Sequence, residues 1–304
     1  MNLSYSEFCV CPVCQSDLTE SPSALRCERC SKTYKTLNGI PRLLPNYDAT
    51  QERYRQNYEK VASNFLANNK YQADNVSYRH EALLNFIGRE HIGRRILDVG
   101  SSHALYLADI QADVKVAIDI AETYLKVIPT SVNVIPILAD AEQLPFKRGF
   151  FDLIIVADVL EHLLNPEMFV QAVVALATED TRIIVHIPWE ENLEPYLHCG
   201  YEFAHLRSFN TFNFSQIWNQ FHICRSKYTF PDLRYPLLFG LERLLPRSIY
   251  NVLVRRYFFT PGVAARDAAW RQRRLESLPK WEWVLLRLFK PVFRMFEMRL
   301  RTLV

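Results

Sequence analysis

The sequence predicts an α/β protein with a doubly wound, mostly parallel sheet, preceded by a four-cysteine unit and followed by a helical extension. Four short segments are apolar almost throughout rather than alternating, as is typical of strands covered by helices on both faces. Each of these segments ends in an aspartate, and helical or loop sequence separates one from the next. The segments span residues 95–98, 114–119, 134–140 and 151–158.

The acidic ends of these strands indicate a class of ligand. Because the carboxyl ends of parallel strands line one crevice, Asp98, Asp119, Asp140 and Asp158 are expected at one edge of the sheet. Carboxylates in a crevice suit a ligand with hydroxyls, amines and positive charge, and they disfavour a polyanion. The turn after the first strand contains Gly100 but not the further glycines of a dinucleotide site, so the sequence argues against NAD.

Four motifs in the same order resemble those of the class I S-adenosylmethionine-dependent methyltransferases. They are ILDVG at 96–100, Asp119, DAEQLPF at 140–146 and FDLIIVADVLEHL at 151–163. The resemblance covers residues 94–230 and implies a Rossmann-like methyltransferase domain that binds S-adenosylmethionine.

The resemblance also implies roles for individual residues. Asp119 would accept hydrogen bonds from both ribose hydroxyls, since a carboxylate has two acceptor oxygens. Asp140 would accept from the adenine amino group, and the backbone at Ala141 would contact the ring. Asp158 would lie near the reacting methyl group.

The loop after the first strand departs from the family pattern. Asp98 and Gly100 would shape the turn under the methionine part of the cofactor, with Ser102 beside them. The family usually has glycines where this chain has Ser102 and Ala104. Both residues are small, so binding is expected to survive. The alternative is a decayed site on a fold that persists as a scaffold.

Methyl transfer to a hydroxyl needs a proton acceptor as well as an aligned cofactor. Asp158 and His162 are the residues expected closest to the methyl group. Further candidates for the base are His186, Glu190, His198 and His205. For each histidine the alternative is a packing or loop-ordering role.

The amino-terminal region contains two Cys-x-x-Cys knuckles separated by twelve residues. The four residues are Cys11, Cys14, Cys27 and Cys30. Two such knuckles complete the tetrahedron that Zn²⁺ prefers, and four protein ligands make the site structural. The alternative is a pair of disulfides or free core thiols, and Cys9 could compete with Cys11 as a ligand.

Residues 8–45 resemble the small zinc-ribbon proteins that activate tRNA and translation-factor methyltransferases. They are also similar to the zinc ribbon ahead of certain ribosomal-RNA guanine methyltransferases. Such a ribbon serves as an RNA clamp, a docking surface for a partner or an anchor on the enzyme. The few charges of this region do not form a basic patch with exposed aromatics, so a role in RNA binding is not indicated.

The last segment, residues 231–304, is both basic and apolar. It contains 15 Lys and Arg against 6 Asp and Glu, and the rest of the chain has 21 against 27. On a helix, one face would carry Trp281, Val284, Leu285, Leu288, Val292, Phe296 and Leu303, and another Arg287, Arg294 and Arg301. A basic amphipathic helix can lie on an anionic membrane surface. The alternatives are packing on the catalytic domain and phosphate contacts with RNA.

These features divide the chain into residues 1–46 (zinc ribbon), 47–93 (helical lead-in), 94–230 (methyltransferase domain) and 231–304 (helical extension). Helices are expected at 51–69 and 74–91, either capping the cleft or packing on the sheet, and further strands at 181–187 and 222–230. No seventh strand is apparent. The polar start of the sequence predicts no signal peptide, and cysteines kept for zinc favour the cytoplasm.

Three functions remain open at this stage. The first is methylation of a hydroxyl on a small molecule, a lipid or a lipid-linked glycan at the inner face of a membrane. The second is methylation of RNA, with the ribbon and the basic tail holding the substrate. The third is a non-catalytic, cofactor-binding partner protein.

Overall fold

The structure is a computed structural model that describes residues 3–67, 76–191, 193, 201–229, 246 and 293–301. Its strands, in chain order, are β1 (Leu18–Ser21), β2 (Ala24–Cys27), β3 (Thr33–Leu37), β4 (Ile40–Leu43), β5 (Glu90–Val99), β6 (Gln111–Asp119), β7 (Ile135–Ala139), β8 (Leu153–Ala157), β9 (Arg182–Pro188), β10 (Phe221–Thr229) and β11 (Phe293–Leu300). The helices are α1 (Tyr5–Phe8), α2 (Ala49–Ala67), α3 (Val76–Ile87), α4 (Leu105–Ala108), α5 (Glu122–Leu125), α6 (Pro166–Leu176) and α7 (Thr211–Ile217).

These strands form one sheet in the order β1-β2-β3-β4-β7-β6-β5-β8-β9-β11-β10. The central strands β7, β6, β5, β8 and β9 are parallel, which confirms the doubly wound α/β fold. The chain first moves outward from β5 through β6 to β7 and then returns to add β8 on the other side of β5. This reversal creates a crevice at the carboxyl ends of β5 and its neighbours, where open α/β sheets bind ligands.

Both faces of the central sheet are buried, as the apolar runs in the sequence predict. Leu97 and Ile154 belong to the core cluster that includes residues of α6. Ile96 and Ile155, their neighbours along β5 and β8, belong to the cluster that includes residues of α3. Because alternate side chains of a strand point to opposite faces, helices on both sides require a continuous apolar run.

The four-cysteine unit shares the sheet with the rest of the protein. Strands β1 to β4 form an antiparallel meander, and β4 then pairs in parallel with β7 through Arg42 opposite Leu138 and Leu43 opposite Ala139. Phe8 adds an apolar contact, with its ring 4.9 Å from that of Phe150. The unit is therefore joined to the central sheet by both backbone pairing and core packing.

The expectation of a helix through residues 293–301, and of no seventh strand, was wrong. Strand β11 lies between β9 and β10 and is antiparallel to both. Its side chains enter both core clusters, Met295 on one face and Phe296 and Met298 on the other. The spacing of these apolar residues fits a helix as well as a two-sided strand, so only the partner strands decide the structure. His91, expected at the end of a helix, lies in β5.

The other helices predicted for residues 231–292 lie outside the described residues, apart from Pro246. Among the helices that the structure does describe, none has the length and apolar character needed to cross a bilayer.

Replacing Phe296 with alanine is expected to reduce the free energy of unfolding by about 3–5 kcal/mol, the usual cost of removing a buried phenylalanine ring. The Phe296 side chain is only 1% exposed and stacks on Phe214 with ring centroids 4.1 Å apart. Phe212→Ala is the matched control, because Phe212 is 72% exposed. Urea denaturation of the two variants measures the difference, and equal stabilities would show that β11 is not part of the core.

Candidate functional site

The four predicted aspartates all lie at one edge of the parallel sheet. Asp98 is the penultimate residue of β5 and Asp119 the last of β6, whereas Asp140 and Asp158 directly follow β7 and β8. Asp98, Asp119 and Asp140 are each less than a tenth exposed, and Asp158 is half-buried. The crevice at this edge is therefore lined by carboxylates that are largely shielded from water.

The loop after β5 has a left-handed backbone at three alternate residues. The φ angles are 64° at Gly100, 52° at Ser102 and 59° at Ala104. A side chain at Gly100 would also collide with Val159, whose Cγ2 lies 2.5 Å from the place of an added Cβ. The two non-glycine residues thus keep the loop conformation that glycine favours, at a cost of about 1–3 kcal/mol each.

Asp119 connects this loop to the end of β6. Its Oδ2 accepts a hydrogen bond from the Ser102 backbone N–H at 2.9 Å, and its Oδ1 accepts from the Ala121 N–H at 2.8 Å. Each oxygen has a second lone pair that can accept a further bond from a ligand. Burial raises the pKa of Asp119 to about 6, and the two backbone bonds oppose this shift.

Asp98 is the most deeply buried of the four carboxyl groups, with 1% exposure. Its Oδ2 accepts no hydrogen bond from any residue that the structure describes. Burial, followed by the nearby charge of Asp119, raises the pKa of Asp98 well above its ordinary value. A buried polar atom in this state is costly, and a donor group on a bound ligand would reduce that cost.

Asp140 caps the short 3-10 turn Ala141–Gln143 by accepting the Glu142 N–H on Oδ1 at 2.9 Å. Burial raises its pKa. The next turn of chain is tied to α6, since Glu142 accepts the Asn165 N–H at 2.7 Å. Asp140 and Ala141 are thus held in place by hydrogen bonds on both sides of the turn.

Helix α2 lies over the carboxyl edge, whereas α3 packs on a face of the sheet. The Glu59 carboxylate accepts the backbone N–H groups of Glu122 and Thr123 at 2.8 and 3.3 Å, directly after β6. The Tyr58 hydroxyl donates to the Phe203 carbonyl at 2.7 Å. From the sequence, each helix could cap the cleft or pack on the sheet, and neither Tyr58 nor Glu59 stands out as part of the site, because helical periodicity does not identify which polar side chains face a cleft.

Asp158 is positioned by His186. The Oδ1 atom of Asp158 lies 2.8 Å from Nδ1 of His186, which is 1% exposed and stacks on Phe293 at 5.0 Å. Asp158 also has a φ of 54°, a conformation that strains a non-glycine residue and is found at functional sites. His186, one of the candidate bases, therefore contacts Asp158 from inside the protein.

His162 lies next to a second histidine, His205, with ring centroids 4.6 Å apart. Burial lowers the pKa of His162 to about 4, and the neighbouring His205 lowers it further in the same direction. A ring with this pKa is neutral at pH 7 but a weak proton acceptor. His198 lies outside the described residues, and Glu190 has a φ of 50°.

The four predicted cysteine ligands meet in one cluster. The Sγ atoms of Cys11 and Cys30 are 3.6 Å apart, those of Cys14 and Cys27 are 3.4 Å apart, and all four lie within 4.8 Å of one another. These separations exceed a disulfide bond and are close to the roughly 3.8 Å between sulfurs in a tetrahedral zinc site. Cys9 is not in this cluster; it is buried in the core, and burial raises its pKa.

Comparison with known proteins agrees with this fold. Residues 97–185 match the family described as Methyltransferase domain. A chain in the complex of the Haloferax volcanii Trm112 methyltransferase activator is 11% identical, with a TM-score of 0.52 over 81% of this chain and 96% of that one. Comparison with curated proteins finds no match.

Two further solved structures resemble the chain less closely. An S-adenosylmethionine-dependent methyltransferase from Archaeoglobus fulgidus is 16% identical over 77% of this chain and 98% of that one, with a TM-score of 0.46. Haemonchus contortus phosphoethanolamine N-methyltransferase 2, in complex with S-adenosyl-L-methionine, is 14% identical over 74% of this chain, with a TM-score of 0.46. The match spans about half of that enzyme, 52%. With the domain match over the acidic edge, the chain contains a methyltransferase domain with a Rossmann-like fold.

Proposed function

We propose that the protein transfers the methyl group of S-adenosylmethionine to a hydroxyl of a small-molecule, lipid or glycan acceptor, with the cofactor bound along the carboxyl edge of the sheet. The single observation that carries this proposal is the row of buried carboxylates at that edge. Asp119 would hold the ribose hydroxyls, Asp140 and the Ala141 backbone the adenine, and the loop from Asp98 the methionine part.

The residues of the site fit the cofactor in two ways. The free acceptor atom of Asp98 would meet a donor group such as the cofactor's amino group, and both Asp119 oxygens retain a lone pair for a ribose hydroxyl. The absence of a side chain at Gly100 makes room for Val159, so the loop after β5 can pack closely against the chain that follows β8.

In the reaction, the acceptor oxygen forms a bond to the methyl carbon as the carbon–sulfur bond breaks. The bonding pair stays on sulfur, which loses its positive charge, and the hydroxyl proton passes to a base or to water. The protein's contribution is to align the oxygen, carbon and sulfur atoms. The Asp158 carboxylate, held by His186, is suited to bind the acceptor side of this line.

We further propose that Cys11, Cys14, Cys27 and Cys30 bind a structural Zn²⁺ ion in a zinc ribbon. The spacing of the thiols and the absence of an open ligand position support a structural role. The ribbon would serve as an anchor, because β4 extends the methyltransferase sheet directly.

A variant that lacks the long segment between β10 and β11 can be used to identify the class of acceptor. Residues 230–292 contain 12 Lys and Arg against 5 Asp and Glu, and they connect strands that are paired at Thr229 and Phe293. A short Asn-Gly turn can join such antiparallel ends, so this segment can be replaced without removing β11. A truncation from residue 281 onward would remove that core strand.

The test measures cofactor binding and acceptor choice separately. Calorimetry with S-adenosylmethionine should detect binding to both the full chain and the turn-replaced variant. Labelled methyl transfer, liposome flotation and RNA gel shift should then show activity on a lipid or small-molecule fraction and vesicle binding that depends on residues 230–292. Absence of cofactor binding would overturn the proposal, and methylation of RNA alone would overturn the acceptor class.

The affinity for S-adenosylmethionine is expected to fall as the pH decreases through 6. The ionised Asp119 carboxylate is the stronger hydrogen-bond acceptor, and its pKa is about 6. Binding should therefore be about tenfold weaker at pH 5 than at pH 7, as measured by calorimetry. Asp119→Asn should bind weakly with little change between these pH values.

The stability of the ligand-free protein should increase over the pH range in which cofactor affinity decreases. The folded-state pKa of Asp119 lies above that of an unfolded aspartate, so the buried ionised form opposes folding above pH 6. Through this group, the free energy of unfolding rises as the pH falls from 7 to 5. Thermal melting without cofactor thus separates weaker binding from loss of fold.

A further inference from the structure

We propose that Glu161, His162 and His205 bind a divalent first-row transition ion beside the methyl-transfer site. Each of the three side chains offers one ligand atom, and these atoms lie within 4.8 Å of one another. Two imidazoles and one carboxylate can occupy one face of a metal ion and leave other positions open for substrate or water. This set is separate from the four-cysteine cluster and differs from it in ligand chemistry.

The hydrogen bonds of the two histidines prepare them as ligands. His162 Nδ1 lies 3.3 Å from the Ala204 carbonyl, and His205 Nδ1 lies 2.5 Å from a Glu191 carboxylate oxygen. Since a carbonyl and a carboxylate accept hydrogen bonds, each Nδ1 carries the proton. With the proton on Nδ1, Nε2 is the ring nitrogen that carries the lone pair and would bind a metal. Metal-bound histidines commonly have such a carbonyl or carboxylate partner on the other ring nitrogen.

The carboxylate also lies where a ligand atom is needed. Glu161 is 1% exposed, and its Oε1 is 3.9 Å from Nε2 of His162. Two atoms bound to the same ion at about 2.0–2.2 Å are separated by about 3 Å in a right-angled arrangement, so only a small shift is required. Removing a carboxylate from water costs free energy, and a bound cation offsets that cost.

The peptide backbone holds the two parts of the cluster together. The Leu206 N–H donates to the Glu161 carbonyl at 2.8 Å, directly after His205. The Arg207 guanidinium donates to the carbonyls of Leu163 and Leu164, the latter at 3.1 Å. These bonds link the segment after β8 to a segment more than forty residues later in the chain, so the ligand set is fixed by the fold and not by an isolated loop.

The position of the cluster suggests what the ion would do, and this step rests on the proposed function. The ring of His162 is 5.8 Å from that of Tyr58 on α2, the helix that covers the cleft, and Glu161 follows Asp158 by three residues. A metal ion there could bind the acceptor oxygen and lower the pKa of its hydroxyl. The hydroxyl would lose its proton to water, and the resulting oxyanion would attack the methyl carbon as described above.

Mn²⁺ is a suitable probe, because it binds carboxylate ligands and competes poorly with zinc for thiolates. Titration of the full chain, supplied with only the one equivalent of zinc that the four thiolates take, should remove the electron paramagnetic resonance signal of one equivalent of free Mn²⁺. Glu161→Gln and His205→Ala should each weaken this binding by about 100-fold or more. Glu191→Gln, which alters only the partner of His205, should weaken it by about 10- to 100-fold. His222→Ala, at an exposed histidine on β10, is the control and should bind as the unaltered protein does.

Two results would overturn the metal site. One is the absence of Mn²⁺ binding to the unaltered chain, and the other is equal binding by Glu161→Gln and the control. Circular dichroism of each variant verifies that it is folded, and the near-isosteric Glu161→Gln guards against loss of structure. Calorimetry with S-adenosylmethionine on the same samples keeps the proposals distinct. Cofactor binding without Mn²⁺ binding rejects only the metal site, and Mn²⁺ binding without cofactor binding rejects only the proposed methyl transfer.

Discussion

Cys27→Ser is expected to abolish zinc binding and to unfold the amino-terminal ribbon, the largest effect on stability predicted for this protein. Zinc contributes an apparent 10–16 kcal/mol to the folding of small zinc units, because the ligands are brought together only in the folded state. The proposed zinc ion needs all four sulfurs of the cluster as ligands, and Cys27 is fully buried. The zinc ion held by the four cysteines should be lost, and the ribbon should become sensitive to protease.

This substitution should also weaken cofactor binding, although Cys27 is far along the chain from the acidic edge. Strand β4 of the ribbon pairs with β7, which leads directly into Asp140. Arg42 on β4 also forms an ion pair with Glu122, at the start of α5 after Asp119. Loss of the ribbon would release both contacts next to the predicted adenine and ribose sites.

The matched control for Cys27→Ser is Cys224→Ser. Cys224 is an exposed thiol on β10 and lies outside the metal cluster. Its replacement should leave the zinc content, melting temperature and cofactor affinity unchanged. Full zinc content and unaltered melting in Cys27→Ser would contradict the structural role proposed for the four thiols.

Asp119→Ala is expected to weaken S-adenosylmethionine binding by about 100-fold or more. Hydrogen bonds to a charged group contribute about 1.5–3 kcal/mol each, and the carboxylate would form two with the ribose. Their loss corresponds to at least two factors of ten in affinity. The alanine also leaves the Ser102 and Ala121 N–H groups without their acceptor, so the cofactor loop should become less ordered.

Calorimetry of Asp119→Ala should be compared with that of Asp180→Ala, which removes an exposed carboxylate in the turn before β9. The control should bind the cofactor normally. Melting of both variants without cofactor distinguishes a weakened site from a destabilised fold. Unchanged affinity in a folded Asp119→Ala would remove this residue from the proposed binding site.

A membrane role should be tested on the segment between β10 and β11 and not on the whole carboxyl-terminal region. The basic and apolar composition that suggested an amphipathic tail extends through residues 231–304, but its last part supplies a strand of the core. Arg294, expected on a helical face together with Arg287 and Arg301, lies in that strand with its guanidinium 4.7 Å from the Trp189 ring centroid. Any membrane contact would therefore be sought in residues 230–292.

The sequence alone determined the features that depend on local pattern. Apolar runs of four to eight residues require burial on both faces, so the parallel strands and the common edge of Asp98, Asp119, Asp140 and Asp158 could be predicted. Cys-x-x-Cys spacing likewise predicts a cluster, because two thiols of one knuckle can reach the same ion without distant partners.

The tertiary structure decided what depends on pairing between distant segments. The residues of β11 suit a helix until β9 and β10 provide hydrogen-bond partners on both sides. The ribbon becomes part of the main sheet only through β4 and β7. His205 reaches Glu161 only because the backbone between them folds back. Such contacts are selected by burial and hydrogen bonding across the whole fold, and no short window of sequence contains both partners.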